Sequence, residues 1–159
     1  MLPVTIPPCG PMVPQWLLGA SVTNSADKPP RRGLPAFQMR VLVIEDNHDL
    51  ARLFCDLLEV MGCETEVAFN ARTGVASTRR MKPDIVFCDL RLPGERNGFN
   101  VAEELRNDAA FSRLPLIAVT GYSDVDEQRR ALEAGFDRVF AKPIKFAEIQ
   151  EVLKDYQKR

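Results

Sequence analysis

The chain has 159 residues, a formal net charge of −1 and 45% hydrophobic residues. That length suits one domain, and near-zero charge gives no global pull toward nucleic acid or an anionic membrane surface. No run of about 18 apolar residues is present to insert as a transmembrane helix.

Eight of the 12 prolines (Pro3, Pro7, Pro8, Pro11, Pro14, Pro29, Pro30, Pro35) precede residue 39. The composition therefore averages two unlike segments. Segment 1–38 holds no complete helical or alternating apolar pattern. Its prolines remove backbone donors and push the residues before them toward extended conformations. A disordered tail is expected there. No basic residue precedes its apolar part, and prolines interrupt it, which argues against a secretory signal. Lys28, Arg31 and Arg32 against Asp27 give the tail +2, leaving −3 for the remainder. Met39 stands directly before a strand-like run, so a second reading is that translation starts there and 1–38 is a mis-called extension.

From Met39 onward the pattern alternates. Arg40–Ile44 is a short apolar run ending at Glu45 and Asp46. Leu50, Leu53, Phe54, Leu57, Leu58 and Met61 then form one stripe at helical spacing, expected to face the core. Asp46 or Asn47 can cap that helix, and Gly62 suits its end. Cys63–Ala68 reads as a second strand and Asn70–Met81 as a helix capped by Asn70 and stopped by Pro83. Asp84–Cys88 is a third strand, and Asn97–Asn107 a helix burying Phe99, Val101, Ala102 and Leu105. Leu114–Val119 is a fourth strand, and Ser123–Ala134 a helix capped by Ser123 and ended by Gly135. Arg138–Ala141 is a fifth strand. The last helix, Phe146–Gln157, has Phe146, Ile149, Val152, Leu153 and Tyr156 as its apolar face.

Five βα units with nearly continuous apolar strands imply a parallel sheet covered on both faces. Five units cannot close an eight-fold barrel, so an open doubly wound sheet remains. Ligands of such sheets bind at the carboxyl ends of the strands. Four strands deliver polar groups to that edge: Glu45 and Asp46, then Asp89, then Thr120 and Gly121, then Lys142. Clustered carboxylates repel one another unless a cation offsets them. Lys142 supplies one positive charge, and Mg²⁺ suits the deficit because it favours one or two carboxylates with phosphate oxygens. A carboxylate beside a metal, an ammonium and a hydroxyl can act as a nucleophile toward a phosphoryl group.

The stretches VLVIEDN, FCDLRLPG, AVTGYS and AKPI resemble the receiver domain of two-component response regulators, from Met39 to about the C-terminus. The resemblance implies a flavodoxin-like (βα)5 sheet with strand order 2-1-3-4-5. It makes Asp89 the phosphoacceptor. Asp46, Glu45, Asp89 and the backbone carbonyl of Arg91 would hold Mg²⁺. Thr120 and the N–H of Gly121 would bind the phosphoryl group, with Thr120 drawing the following loop inward, and Lys142 would pair with its oxygens. The donor would be a sensor histidine kinase or a histidine phosphotransfer protein in the cytoplasm. Output would pass through an unidentified downstream partner, without direct DNA binding and without catalysis beyond self-phosphotransfer and autodephosphorylation.

Two departures from the family pattern stand out. The switch-aromatic position, three residues before Lys142, is Val139, and Phe140 should face the other way along the strand. The loop after Asp89 is one residue longer than the commonest version. Arg91 and Tyr122 occupy positions that influence phosphoryl lifetime in the family. Alternatives are a receiver belonging to a hybrid histidine kinase, and a receiver-like interaction module that never accepts phosphate. An aspartyl phosphatase is disfavoured, since Arg91 stands where a second Asp is usual. His48 reads as solvated, and Cys9, Cys55, Cys63 and Cys88 as reduced thiols without metal spacing.

Overall fold

The computed structural model describes residues 36–121 and 124–157. Most of the proline-rich tail, Cys9, Tyr122 and Ser123 lie outside the described residues. Ten elements alternate: β1 (Arg40–Ile44), α1 (His48–Val60), β2 (Glu64–Ala68), α2 (Ala71–Met81), β3 (Ile85–Cys88), α3 (Gly98–Asn107), β4 (Leu116–Thr120), α4 (Val125–Ala134), β5 (Arg138–Ala141) and α5 (Phe146–Gln157). The five strands are all parallel and run in the order β2-β1-β3-β4-β5. The expected doubly wound (βα)5 sheet is thus the observed one.

Strand alternation splits the core in two. Leu42, Ile44, Val86, Cys88, Leu116 and Ala118 face α2, α3 and α4. Val41, Val43, Ile85, Phe87, Ile117 and Val119 face α1 and α5. Buried apolar area on both faces is what holds a parallel sheet together. Side-chain oxygens of Asn47, Asn70, Asn97 and Asp124 accept backbone N–H groups at the first turns of α1 to α4. Arg106 ties the far side of the fold. Its guanidinium donates to the carbonyls of Gly135 (2.8 Å) and Leu114 (2.7 Å) and to Asp137 (3.0 Å). Gly135 ends α4 at φ +114, where a Cβ would be strained and would stand 2.5 Å from Arg106 Cγ.

Four expectations need correction. First, the apolar stripe of α1 does not all face the core: Leu50 is 45% exposed and Leu53 58%. Leu58 and Met61 of the stripe are buried as expected, and Ala51 and Cys55, which lie outside it, are buried with them. Leucines at i, i+3, i+7 mark a face, but small residues beside them also pack, and the spacing could not tell which face turns inward. Second, α5 packs through Ile149, Val152 and Leu153, whereas Phe146 is exposed at its first residue. Third, the cap of α4 is Asp124 rather than Ser123, because the Asp124 carboxylate reaches the N–H of Glu127 at 2.7 Å. Fourth, ordered packing begins before Met39. Phe37 is 1% exposed and its N–H donates to the Met61 carbonyl at 2.8 Å. It sits with Met39, Met61 and Cys63 in the α1/α5 core.

Candidate functional site

Register builds the site. Ile44 pairs with Cys88 across β1 and β3, and Thr120 pairs with Ala141 across β4 and β5. The residues that follow therefore emerge side by side at one edge. Glu45 N–H donates to the Ala68 carbonyl (3.0 Å), Asp89 N–H to the Ile44 carbonyl (2.9 Å), and Lys142 N–H to the Thr120 carbonyl (2.8 Å). The ladder continues one residue past each strand end, and these N–H groups are satisfied.

The side chains converge as the spacing implied. Lys142 Nζ donates to Glu45 Oε2 at 2.6 Å and to Asp89 Oδ2 at 2.7 Å. The other oxygen of each carboxylate accepts a local backbone N–H. Glu45 Oε1 takes that of Asn47 (3.1 Å), and Asp89 Oδ1 that of Arg91 (3.0 Å). Asp46 is exposed beside them, and carboxylate oxygens of Glu45, Asp46 and Asp89 lie within 4.8 Å of one another. Glu45 and Asp89 are 8% and 7% exposed. Burial pushes the Glu45 carboxyl above its ordinary range, although the Lys142 and Asn47 hydrogen bonds pull the other way. Burial works against the Lys142 charge too, but its bonds to Asp89 and Glu45 outweigh this and raise its pKa.

Three carboxylates against one ammonium leave an excess of negative charge and of oxygen donors. That donor set, hard and converging, fits Mg²⁺. Thr120 is fully buried at the end of β4. Gly121 follows it and is exposed, with open space where a Cβ would stand. Val139 does not join the polar cluster; it packs on the α2–α4 side of the sheet while Phe140 packs on the other. Cys88 likewise turns into the core, and its thiol is pushed well up by burial. His48, exposed as expected, stacks on Phe69 with ring centroids 3.9 Å apart.

Two site residues escaped the sequence. Gly98 opens α3 against the Asp89 backbone, where an added Cβ would stand 2.3 Å from the Asp89 carbonyl oxygen. Glu127, in the first turn of α4, is buried and joins Thr120 and Arg91. In the sequence it is one of several charged residues between Asp124 and Arg130, with nothing to mark it as buried.

The comparisons with known proteins agree with this geometry. Residues 41–154 match the response regulator receiver domain. The polar-differentiation response regulator DivK of Brucella anthropi is 32% identical over 116 residues, covering 73% of this chain and 94% of DivK. Hybrid signal transduction histidine kinase L of Dictyostelium discoideum is 32% identical over 125 residues, but that match spans only 7% of the kinase. Among solved structures, the receiver domain of a sensor histidine kinase from Pseudomonas aeruginosa PAO1 superposes with a TM-score of 0.71 at 27% identity. It covers 77% of this chain and 99% of that one, and carries a magnesium ion in its active-site cleft. Fold order, acidic edge and relatives lead to one assignment: the chain belongs to the response regulator receiver family of two-component signalling.

Proposed function

We propose that Asp89 accepts a phosphoryl group from a phosphohistidine and that the modified domain acts as a switch. The observation that carries this is the Asp89 carboxylate held 2.7 Å from Lys142 Nζ, with oxygens of Glu45 and Asp46 within 4.8 Å. In the reaction an Asp89 oxygen attacks phosphorus, a P–O bond forms and the P–N bond breaks. The electron pair leaves with the imidazole nitrogen, which takes up a proton. Lys142 moves from the carboxylate to the phosphoryl oxygens, and Thr120 Oγ1 and the Gly121 N–H take the others. Glu45, Asp46, Asp89 and the Arg91 carbonyl would hold Mg²⁺, which supplies charge neutralisation for the transferring group. The donor is a sensor histidine kinase or a histidine phosphotransfer protein of a cytoplasmic phosphorelay. Among the described residues no helix is long and apolar enough to cross a membrane.

The test is intact mass after incubation with phosphoramidate or acetyl phosphate and Mg²⁺. Wild type gains one phosphoryl group, and Asp89→Asn does not. No adduct with either donor, together with no Mg²⁺ binding, would turn the reading to an interaction module. A second reading, a receiver working inside a hybrid histidine kinase, is favoured by the 32% identity to such a kinase and the 27% identity to a kinase receiver. Phosphotransfer from a kinase core on the same polypeptide would distinguish it.

A further inference from the structure

We infer that Glu127 is a positioning residue that holds Thr120 before phosphorylation and transmits its release to helix α4. The inference rests on the reading of Asp89 as phosphoacceptor.

Glu127 is the third residue of α4 and only 8% exposed. A carboxylate so placed needs donors, because an unpartnered buried charge is costly. Its Oε2 accepts from Thr120 Oγ1 at 3.3 Å, and its Oε1 lies 3.4 Å from Arg91 Nε. Its own N–H donates to the Asp124 carboxylate, which fixes its backbone in the first turn. Arg91 in turn donates its N–H to Asp89 Oδ1. Glu127 thus touches both β4 and the loop after β3, and neither contact belongs to its own helix.

Phosphorylation would contest both donors. The Thr120 hydroxyl has one proton to give, so it cannot serve Glu127 and a phosphoryl oxygen together. A phosphoryl group also adds about −1.5 to −2 charges next to Arg91 and repels the Glu127 carboxylate. Once Thr120 turns inward, Glu127 is left buried with fewer donors. It regains them only by rotating toward water, and that displaces the first turn of α4. Val139, in the switch-aromatic position, carries no polar group and packs on the core. Glu127 therefore supplies a route from Thr120 to α4 that does not pass through β5.

The experiment uses the full chain and beryllofluoride with Mg²⁺ as the phosphoryl mimic, with affinity and amide shifts read by NMR. Glu127→Ala should bind about tenfold more tightly, since no charge-assisted hydrogen bond must be broken first. The gain should fall below about threefold in a Thr120→Val background, where there is no hydroxyl to release. Amides 124–128, which shift in wild type, should already sit near their bound positions in Glu127→Ala. Glu127→Gln keeps an acceptor for Thr120 and should lie between; it also carries the test if the alanine variant does not fold. Equal effects of Glu127→Ala with and without the Thr120 hydroxyl would overturn the inference alone. A wild-type protein that binds no beryllofluoride would overturn the phosphoacceptor reading and this inference with it.

Discussion

Lys142 reaches Glu45 across 97 positions of sequence, its Nζ 2.6 Å from Oε2. The pair closes the site between the first and last strand ends that contribute to it, and Asp89 sits on the same ammonium.

Removing that ammonium should make stability depend on pH. In Lys142→Met the Glu45 carboxyl loses the bonds and charge that held its already raised pKa down. A carboxyl whose folded pKa exceeds its unfolded one stabilises the fold at low pH, and this is lost as pH rises through the folded pKa. The melting temperature of Lys142→Met should therefore fall from acid toward neutral pH more steeply than that of wild type. Parallel profiles of the two proteins, followed by circular dichroism, would contradict this.

Gly98→Ala should disturb the site through backbone. The new Cβ would stand 2.3 Å from the Asp89 carbonyl oxygen and 2.7 Å from Leu90 Cα, and no rotamer relieves a clash with main chain. Overpacking of this kind costs about 1–3 kcal/mol. The variant should melt lower and react more slowly with phosphoramidate. Gly121→Ala, which meets open space, should leave the melting temperature unchanged.

Phe37→Ala should destabilise the domain by about 3 kcal/mol, as expected for a buried aromatic cut back to a methyl group. A chain starting at Met39 loses the same ring, along with the N–H bond to Met61. Urea unfolding reads both. If both variants unfold at the wild-type midpoint, the ring carries no weight in the fold.

The thiols should resist alkylation in the native state. Cys55, Cys63 and Cys88 are free and buried. Burial pushes Cys63 from its ordinary 9.0 up to about 12 and raises the other two. Iodoacetamide at mildly alkaline pH should label them only after unfolding, as peptide mass mapping would report. The same shifts favour the protonated thiol in the fold. Their contribution to stability is complete below pH 9 and declines as pH rises toward 12. Rapid native labelling of Cys63 would count against this.

Most of the architecture was legible because strand and helix periods differ and the first four helix starts carry a capping side chain. The acidic edge was legible for a related reason: in a parallel sheet every strand ends at the same side, so Glu45, Asp89, Thr120 and Lys142 could be aligned without a structure. What the sequence hid depended on single contacts. Phe37 is one residue in a proline-rich stretch and has no period. Glu127 reads as one charge among many until the α4 cap turns its side chain inward. Leu50 and Leu53 fit the stripe that Leu58 and Met61 bury, and only the packing of Ala51 and Cys55 reveals how far α1 is turned.

The N–H groups of Glu45, Asp89 and Lys142 are the last rungs of the sheet ladder. Hydrogen exchange at these three positions should be as slow as in the strands themselves, since each opens only with its neighbour. The floor of the site is then tied to the global stability of the domain. A ligand entering from the edge meets carboxylates and an ammonium carried on backbone that opens only when the sheet itself opens.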